Sequence, residues 1–238
     1  MLNRYDLVRF FLKVVTMFFR IKNFNNEDKV VIQSKPIELK EEIVKAFQQV
    51  FSEPPWFEKW EREAVLAKIN KELSGNSFLV VLRGNEISPV AGFCWGKILR
   101  IDEIENHVGL ALGARPKGLE EVLKGLQRNE DDRVLYFHEF ALLRQFRRGA
   151  DPVKNLLIPG LQFGLKEGVI RTLFWTTPES KIFNLARYMG YREIFGTMYR
   201  GKKILFMYNK DFRPLLKVAQ MDSRLIIKLL KITSALLP

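Results

Sequence analysis

The sequence predicts an α/β or α+β chain built around one β-sheet. Three observations carry this. Stretches with apolar residues three and four apart alternate with short runs of β-branched and aromatic residues, clusters of Gly, Asn and Pro separate them, and the cationic charge gathers at the two ends. A chain of 238 residues with 47% hydrophobic, 12% aromatic and 28% charged side chains can bury a sizeable core. Disordered, collagen-like and coiled-coil chains do not have this balance.

The chain opens on a basic amphipathic helix within residues 1–28. Asp6, Arg9, Lys13, Thr16 and Arg20 form a narrow polar stripe, and Phe10, Phe11, Val14, Val15, Phe18 and Phe19 cover the rest. After Asn23, Asn25 and Asn26, residues 29–33 read as a short strand. Pro36 then opens a helix through Ile43, Val44, Phe47 and Val50, which ends at Glu53-Pro54-Pro55-Trp56. Residues 57–73 read as a second helix with Val65, Leu66 and Ile69 on one face, stopped by Ser74-Gly75-Asn76. The apolar runs 78–82 and 90–98 flank an Arg83-Gly84-Asn85-Glu86 turn and predict an antiparallel hairpin. Residues 101–132 are polar, with Gly109, Gly113 and Gly118, and are expected to be an inserted excursion holding one short helix through Leu119, Val122, Leu123 and Leu126.

Residues 134–143 are the strongest strand signal, with His138 and Glu139 embedded among Tyr136, Phe137, Phe140 and Leu142. Arg144, Arg147, Arg148 and Gly149 make a basic turn, and Asp151-Pro152 starts a helix, Asp as cap and Pro at its first position. A strand over 170–176, a helix over 179–189 and closing strands over 191–194 and 204–208 follow. From Asp222 a second basic amphipathic helix sets Arg224, Lys228 and Lys231 against Leu225, Ile226, Leu229, Leu230, Ile232 and Leu236. The expected organisation is therefore an N-terminal segment 1–28, a central domain 29–212 with its insert at about 101–132, and a C-terminal segment 213–238.

Charge decides what the formal +12 means. Residues 1–22 hold five basic and one acidic side chain, residues 200–238 nine and two, and the stretch between them 25 and 24. A nearly neutral centre with cationic ends argues against a nucleic-acid-binding domain. Neither end is apolar for the roughly 18 to 20 residues that a bilayer span requires. The first is also a poor signal peptide, since Arg9 and Lys13 interrupt it and no small-residue cleavage site follows. Two readings of the ends stay open: packing on the domain or on a second copy of the chain as a homodimer, or docking on an anionic membrane surface. The expected location is the cytoplasm, with or without peripheral membrane contact. One cysteine, Cys94, allows no intrachain disulfide and reads as a core thiol, and with His107 and His138 it cannot build a Cys/His zinc site; a carboxylate-bound metal stays open, but no spacing of acids suggests one and none is expected.

Four stretches, taken in order, resemble the GNAT acetyltransferase superfamily: Glu53-Pro54-Pro55-Trp56, the strand VAGFCWG, the strand and turn LYFHEFALLRQFRRG, and the joint NLARYMGYREI with Met189-Gly190-Tyr191. The resemblance covers about residues 30–210. It implies a central mixed, mostly antiparallel sheet flanked by helices, and transfer of an acetyl group from acetyl-CoA, or another acyl-CoA, to a small-molecule or peptide amine. On this basis Glu139 is the expected base for the amine proton. Backbone near Leu142 and Leu143 is the expected donor to the thioester oxygen, and Arg147, Arg148, Gly149 and Ala150 the expected phosphate cradle ahead of a helix N-terminus. Trp56 and Phe57 line the acceptor pocket or staple two helices. His138, one residue from Glu139, should face the opposite side of the strand as a packing residue.

Two departures from the family pattern bear on activity. The phosphate loop, an Arg or Gln, two residues, Gly, one residue, then Gly or Ala, matches only in part: starting at Arg147 it meets Ala150 and Pro152, and aligned on Gly149 it starts at Phe146 and ends at Asp151. The tyrosine that often protonates the leaving thiolate is replaced by Ala186, with Tyr188 the nearest phenol in sequence. The second reading, of a different class, is a non-catalytic protein on the same fold that binds a ligand or partner.

Overall fold

The computed structural model of the chain describes residues 31–32, 39–127, 132–147 and 151–220. The expected helix within 1–28, and the tail from Asp222, lie outside these residues. Seven strands form one sheet in the order β1-β2-β3-β4-β5-β7-β6: β1 (Val31–Ile32), β2 (Ser77–Arg83), β3 (Val90–Arg100), β4 (Arg133–Leu142), β5 (Thr172–Thr176), β6 (Arg192–Tyr199) and β7 (Lys202–Asn209). Every neighbouring pair is antiparallel except β4 and β5, which are parallel. Such a pair cannot be joined by a tight turn, and α5 (Asp151–Lys166) makes the crossover.

Helices cover both faces. On one face α1 (Lys40–Ser52) and α2 (Arg62–Glu72) bury Ile43, Phe47, Val65 and Ile69 against Phe93 and Trp95 of β3. Further along that face α3 (Ile101–Leu112) and α4 (Leu119–Lys124) bury Ile104, Val108 and Leu119 beside Tyr136 and Phe206. On the other face α5, α6 (Lys181–Tyr188) and α7 (Arg213–Gln220) close over Leu135, Phe137 and Met207 with Leu156, Leu161, Ala186, Phe212 and Leu216. Side chains as large as these contribute about 1.5–3 kcal/mol each when fully buried. No helix among the described residues is long and apolar enough to cross a membrane.

Three elements differ from expectation. The excursion holds two helices: Ile101, Ile104 and Val108 put a buried stripe through an acidic segment, Glu103 Oε2 accepts the Arg100 N–H at 2.9 Å, and Gly113 ends the helix at φ 76°. Helix α2 starts at Arg62 rather than 57, because the backbone after Trp56 turns, Phe57 having φ 54° and the Glu58 N–H bonding the Phe51 carbonyl at 2.7 Å. Strands β6 and β7 run on into a tight hairpin at Arg200-Gly201, both with positive φ, the conformation that matches strand twist in a two-residue turn.

Candidate active site

Two irregularities in β4 create the site. The first is a bulge: Trp95 of β3 pairs with Glu139 and Gly96 with Phe137, so His138 and Glu139 together oppose one step of β3. The alternation of the strand shifts by one there. Tyr136, His138, Glu139, Ala141 and Leu143 consequently all face α1–α4, while Phe137, Phe140 and Leu142 face α5–α7. The expectation that His138 and Glu139 face opposite sides is overturned by this bulge, which single-residue alternation does not foresee. Its floor is a glycine of necessity, since a Cβ on Gly96 would lie 2.3 Å from the Tyr136 carbonyl oxygen.

The second irregularity is a splay. β4 and β5 pair only at Leu135–Thr172 and Tyr136–Leu173, and beyond Tyr136 the strands part. The Leu143 N–H bonds Ala91 of β3 at 2.9 Å. Alternate backbone groups point to opposite edges, so the N–H groups of Phe140 and Leu142 point into the opening. Of the two leucines expected to supply the donor, Leu143 is thus committed to the sheet and Leu142 is not. A cavity of about 120 Å³ runs through the splay. Its one half, on the α5–α7 face, is apolar, with Phe140, Val153, Leu157, Leu185 and Tyr191. The other half carries rings, Trp56 among them, and the ionisable groups Glu58, Lys68, His138 and Glu139.

Lys68, His138 and Glu139 belong to one largely buried chain with Glu72 and His107. Lys68 Nζ, on α2, lies 2.6 Å from Glu72 Oε1 and 3.0 Å from Glu139 Oε1. Glu72 Oε2 accepts from the Trp95 indole N–H at 2.8 Å, and Glu72 Oε1 is 3.5 Å from His138 Nδ1. His107 Nε2 of α3 stands 3.2 Å from the same His138 nitrogen. Burial, aided by the negative charge of Glu72, pushes the Glu139 carboxyl up to about 7 against the pull of Lys68. For Glu72 burial works the same way, but His138 and Lys68 outweigh it and hold it down at about 2. Lys68 stays an ammonium ion because the two carboxylates outweigh its burial. Burial lowers both histidines against the pull of Glu72, His107 to about 4. His138 Nε2 is buried with no hydrogen-bond partner among the described residues. Sequence reading missed Glu72, Lys68 and His107, whose place in the site depends on α2 and α3 converging on the bulge.

The remaining expected residues distribute unevenly. Trp56 lines the cavity, whereas Phe57 is 68% exposed outside it, with Lys202 Nζ 5.4 Å from its ring. Tyr188 is half-exposed and off the cavity, because helix α6 turns it outward; the phenol that reaches the apolar half is Tyr191, whose oxygen accepts from Thr172 at 2.8 Å. Arg147 already has two partners. Its Nε donates to the Leu142 carbonyl at 2.7 Å and its Nη2 pairs with Glu53 at 2.9 Å, tying the end of β4 to the end of α1. Arg148, Gly149 and Ala150 lie outside the described residues. Cys94 is fully buried, as a core thiol should be, and burial pushes its pKa up.

No family model matches the sequence, and no curated protein matches it significantly. Solved structures do match in shape. Arabidopsis thaliana NAA60, in complex with a bisubstrate analogue, superposes with a TM-score of 0.53 at 12% identity, over 76% of this chain and 97% of that one. A polyamine N-acetyltransferase of Drosophila melanogaster gives 0.51 at 14% over 76% and 100%, and PH1933 of Pyrococcus horikoshii 0.50 at 15% over 77% and 99%. With the splayed parallel pair and the bulged strand beside it, this likeness shows that the chain has the fold of the GNAT acetyltransferases.

Proposed function

We propose that this chain is an N-acetyltransferase, moving an acetyl group from acetyl-CoA to an amine, with Glu139 as the base. The observation that carries the reading is the cavity through the β4–β5 splay, which brings the edge of β4 beyond Tyr136 and a buried carboxyl of raised pKa to one opening. NAA60, similar in fold, has been crystallised with acetyl-CoA.

The residues fit such a donor on one side. The apolar half, with Phe140, Val153, Leu157 and Leu185, would hold its pantetheine arm. The donor supplies an activated thioester carbonyl. The N–H groups of Phe140 and Leu142 would donate to that oxygen and stabilise the charge that grows on it. Glu139, ionised above about pH 7, takes a proton from the acceptor nitrogen on the opposite side of the sheet. Lys68 holds the carboxylate in place, and Tyr191 rather than Tyr188 would offer its hydroxyl to a donor bound in the cavity.

The test is calorimetric titration of acetyl-CoA into the full chain, followed by thiol release with amine acceptors. Glu139→Gln is expected to bind the donor as the native chain does and to turn over about 10²- to 10⁴-fold more slowly, the usual range for losing a positioned base. Equal turnover in the two proteins would refute Glu139 as base. One observation favours the non-catalytic alternative: Arg147, the cation best placed in sequence for a phosphate, is already held by Glu53 and Leu142. Absence of donor binding would decide for it.

A further inference from the structure

The acceptor half of the cavity is built in a way that selects among amines. Ring centroids follow one another at contact distance: Trp60 to Phe47 5.4 Å, Phe47 to Phe51 4.3 Å, Phe51 to Trp56 6.1 Å, Trp56 to Trp175 5.8 Å and Trp175 to Tyr199 5.6 Å. The Arg200 guanidinium closes the circuit, 5.2 Å from the Tyr199 ring and 5.9 Å from that of Trp60. All six rings line the same cavity as Glu139. They come from three separate parts of the chain, α1, the segment between α1 and α2, and the β5–β6 side of the sheet.

The charges around this collar are already matched. Glu58 accepts from the Trp60 indole N–H at 2.7 Å and pairs with Arg200 at 3.5 Å. Glu139 pairs with Lys68 at 3.0 Å. Lys202 adds a further cation, its Nζ donating to the carbonyls of Pro55 and Trp56. Ring faces attract a single ammonium on its way in, and flat apolar walls favour a flat apolar body behind it. A second ammonium at the far end would meet Arg200 with no spare carboxylate to receive it.

Resting on the transferase reading above, we propose that the acceptor is a primary monoamine on an aromatic or compact apolar body, with the amine directed at Glu139 and the body held in the six-ring collar. Polyamines and other dications are disfavoured. The acceptor arrives as R–NH3⁺ and leaves as the acetamide. One nitrogen proton passes to the Glu139 carboxylate, the N–C bond forms as the C–S bond breaks, and the second nitrogen proton ends on the departing CoA thiolate.

The experiment uses the full chain with phenethylamine, tryptamine, agmatine and spermidine. Two readouts keep the collar and the transferase reading apart: thiol release with acetyl-CoA, and the change in intrinsic tryptophan fluorescence on adding phenethylamine or agmatine with no donor present. We expect kcat/KM for the two aromatic amines to exceed that for agmatine and spermidine by at least about 10-fold, the scale set by one well-filled apolar pocket. Phenethylamine should give a saturable fluorescence change that agmatine does not. Trp175→Ala should raise KM for phenethylamine with donor affinity unchanged, and Arg200→Gln should narrow the gap to agmatine. Preference for agmatine or spermidine, or a collar that binds neither aromatic amine, overturns the proposal. Saturable phenethylamine binding without any acetyl-CoA binding would support the collar while removing the transferase reading.

Discussion

Replacing Glu72 by Gln tests the electrostatics of the site without dismantling it. Gln keeps an acceptor for the Trp95 N–H and removes one buried negative charge. The Glu72 and Glu139 oxygens lie 2.6 and 3.0 Å from the same Lys68 nitrogen, which puts them within about 5.6 Å of each other. At an effective dielectric constant of about 20, two unit charges at that separation repel by about 3 kcal/mol, equivalent to about 2 pH units on a carboxyl pKa. Lys68 lies between them and offsets part of this. We expect the Glu139 carboxyl to ionise at least about one pH unit lower in Glu72→Gln, because the charge that opposes its ionisation is gone. Lys68→Met should do the reverse, since it removes the cation that favours the carboxylate. The assay is kcat/KM for the acceptor between about pH 5 and about pH 9, where the rising limb reports ionisation of the base in the free enzyme. Far-ultraviolet circular dichroism confirms that both variants are folded. If the limb in Glu72→Gln stands still or moves to higher pH, or if both variants move it the same way, the assignment of the limb to Glu139 in this network is wrong.

Other outcomes follow from particular contacts. Glu139 keeps its proton to about pH 7 in the folded chain against 4.5 ordinarily, so the folded state binds more protons in that window and this group makes stability fall as pH rises through it; the difference in melting temperature between the native chain and Glu139→Gln should therefore change sharply across the window. Glu72 acts in the opposite sense, its stabilisation present above the ordinary carboxylate pKa and lost as pH falls toward about 2. Trp95→Phe leaves buried Glu72 without its indole donor, and should cost about 1.5–3 kcal/mol in urea unfolding. Gly96→Ala forces a methyl to within 2.3 Å of a backbone oxygen at the bulge and should destabilise by about 1–3 kcal/mol, with loss of turnover exceeding what a matched core variant such as Ile104→Val produces in a melting and thiol-release comparison.

Local pattern alone determined most of the elements. The 3.6-residue stripe through Ile43, Val44, Phe47 and Val50, the alternation around Gly84-Asn85 and the run from Val134 to Leu142 are each readable because backbone periodicity and turn chemistry act over a few neighbours. Glu139 was legible for the same reason: a carboxyl inside an apolar strand needs an explanation wherever the strand goes. Tertiary structure decided the rest. The bulge that brings His138 to the side of Glu139 depends on β3 meeting β4 at Gly96, and the convergence of Glu72, Lys68 and His107 depends on α2 and α3 packing over it. The motif points Arg147 toward a phosphate, and its pairing with Glu53, nearly a hundred positions away, leaves no local pattern to read. The aromatic collar joins Phe47 to Tyr199 in the same manner. Contacts between residues far apart in sequence leave no period and no spacing to read, because they arise only when the sheet has assembled and its splay has fixed which side chains share a cavity.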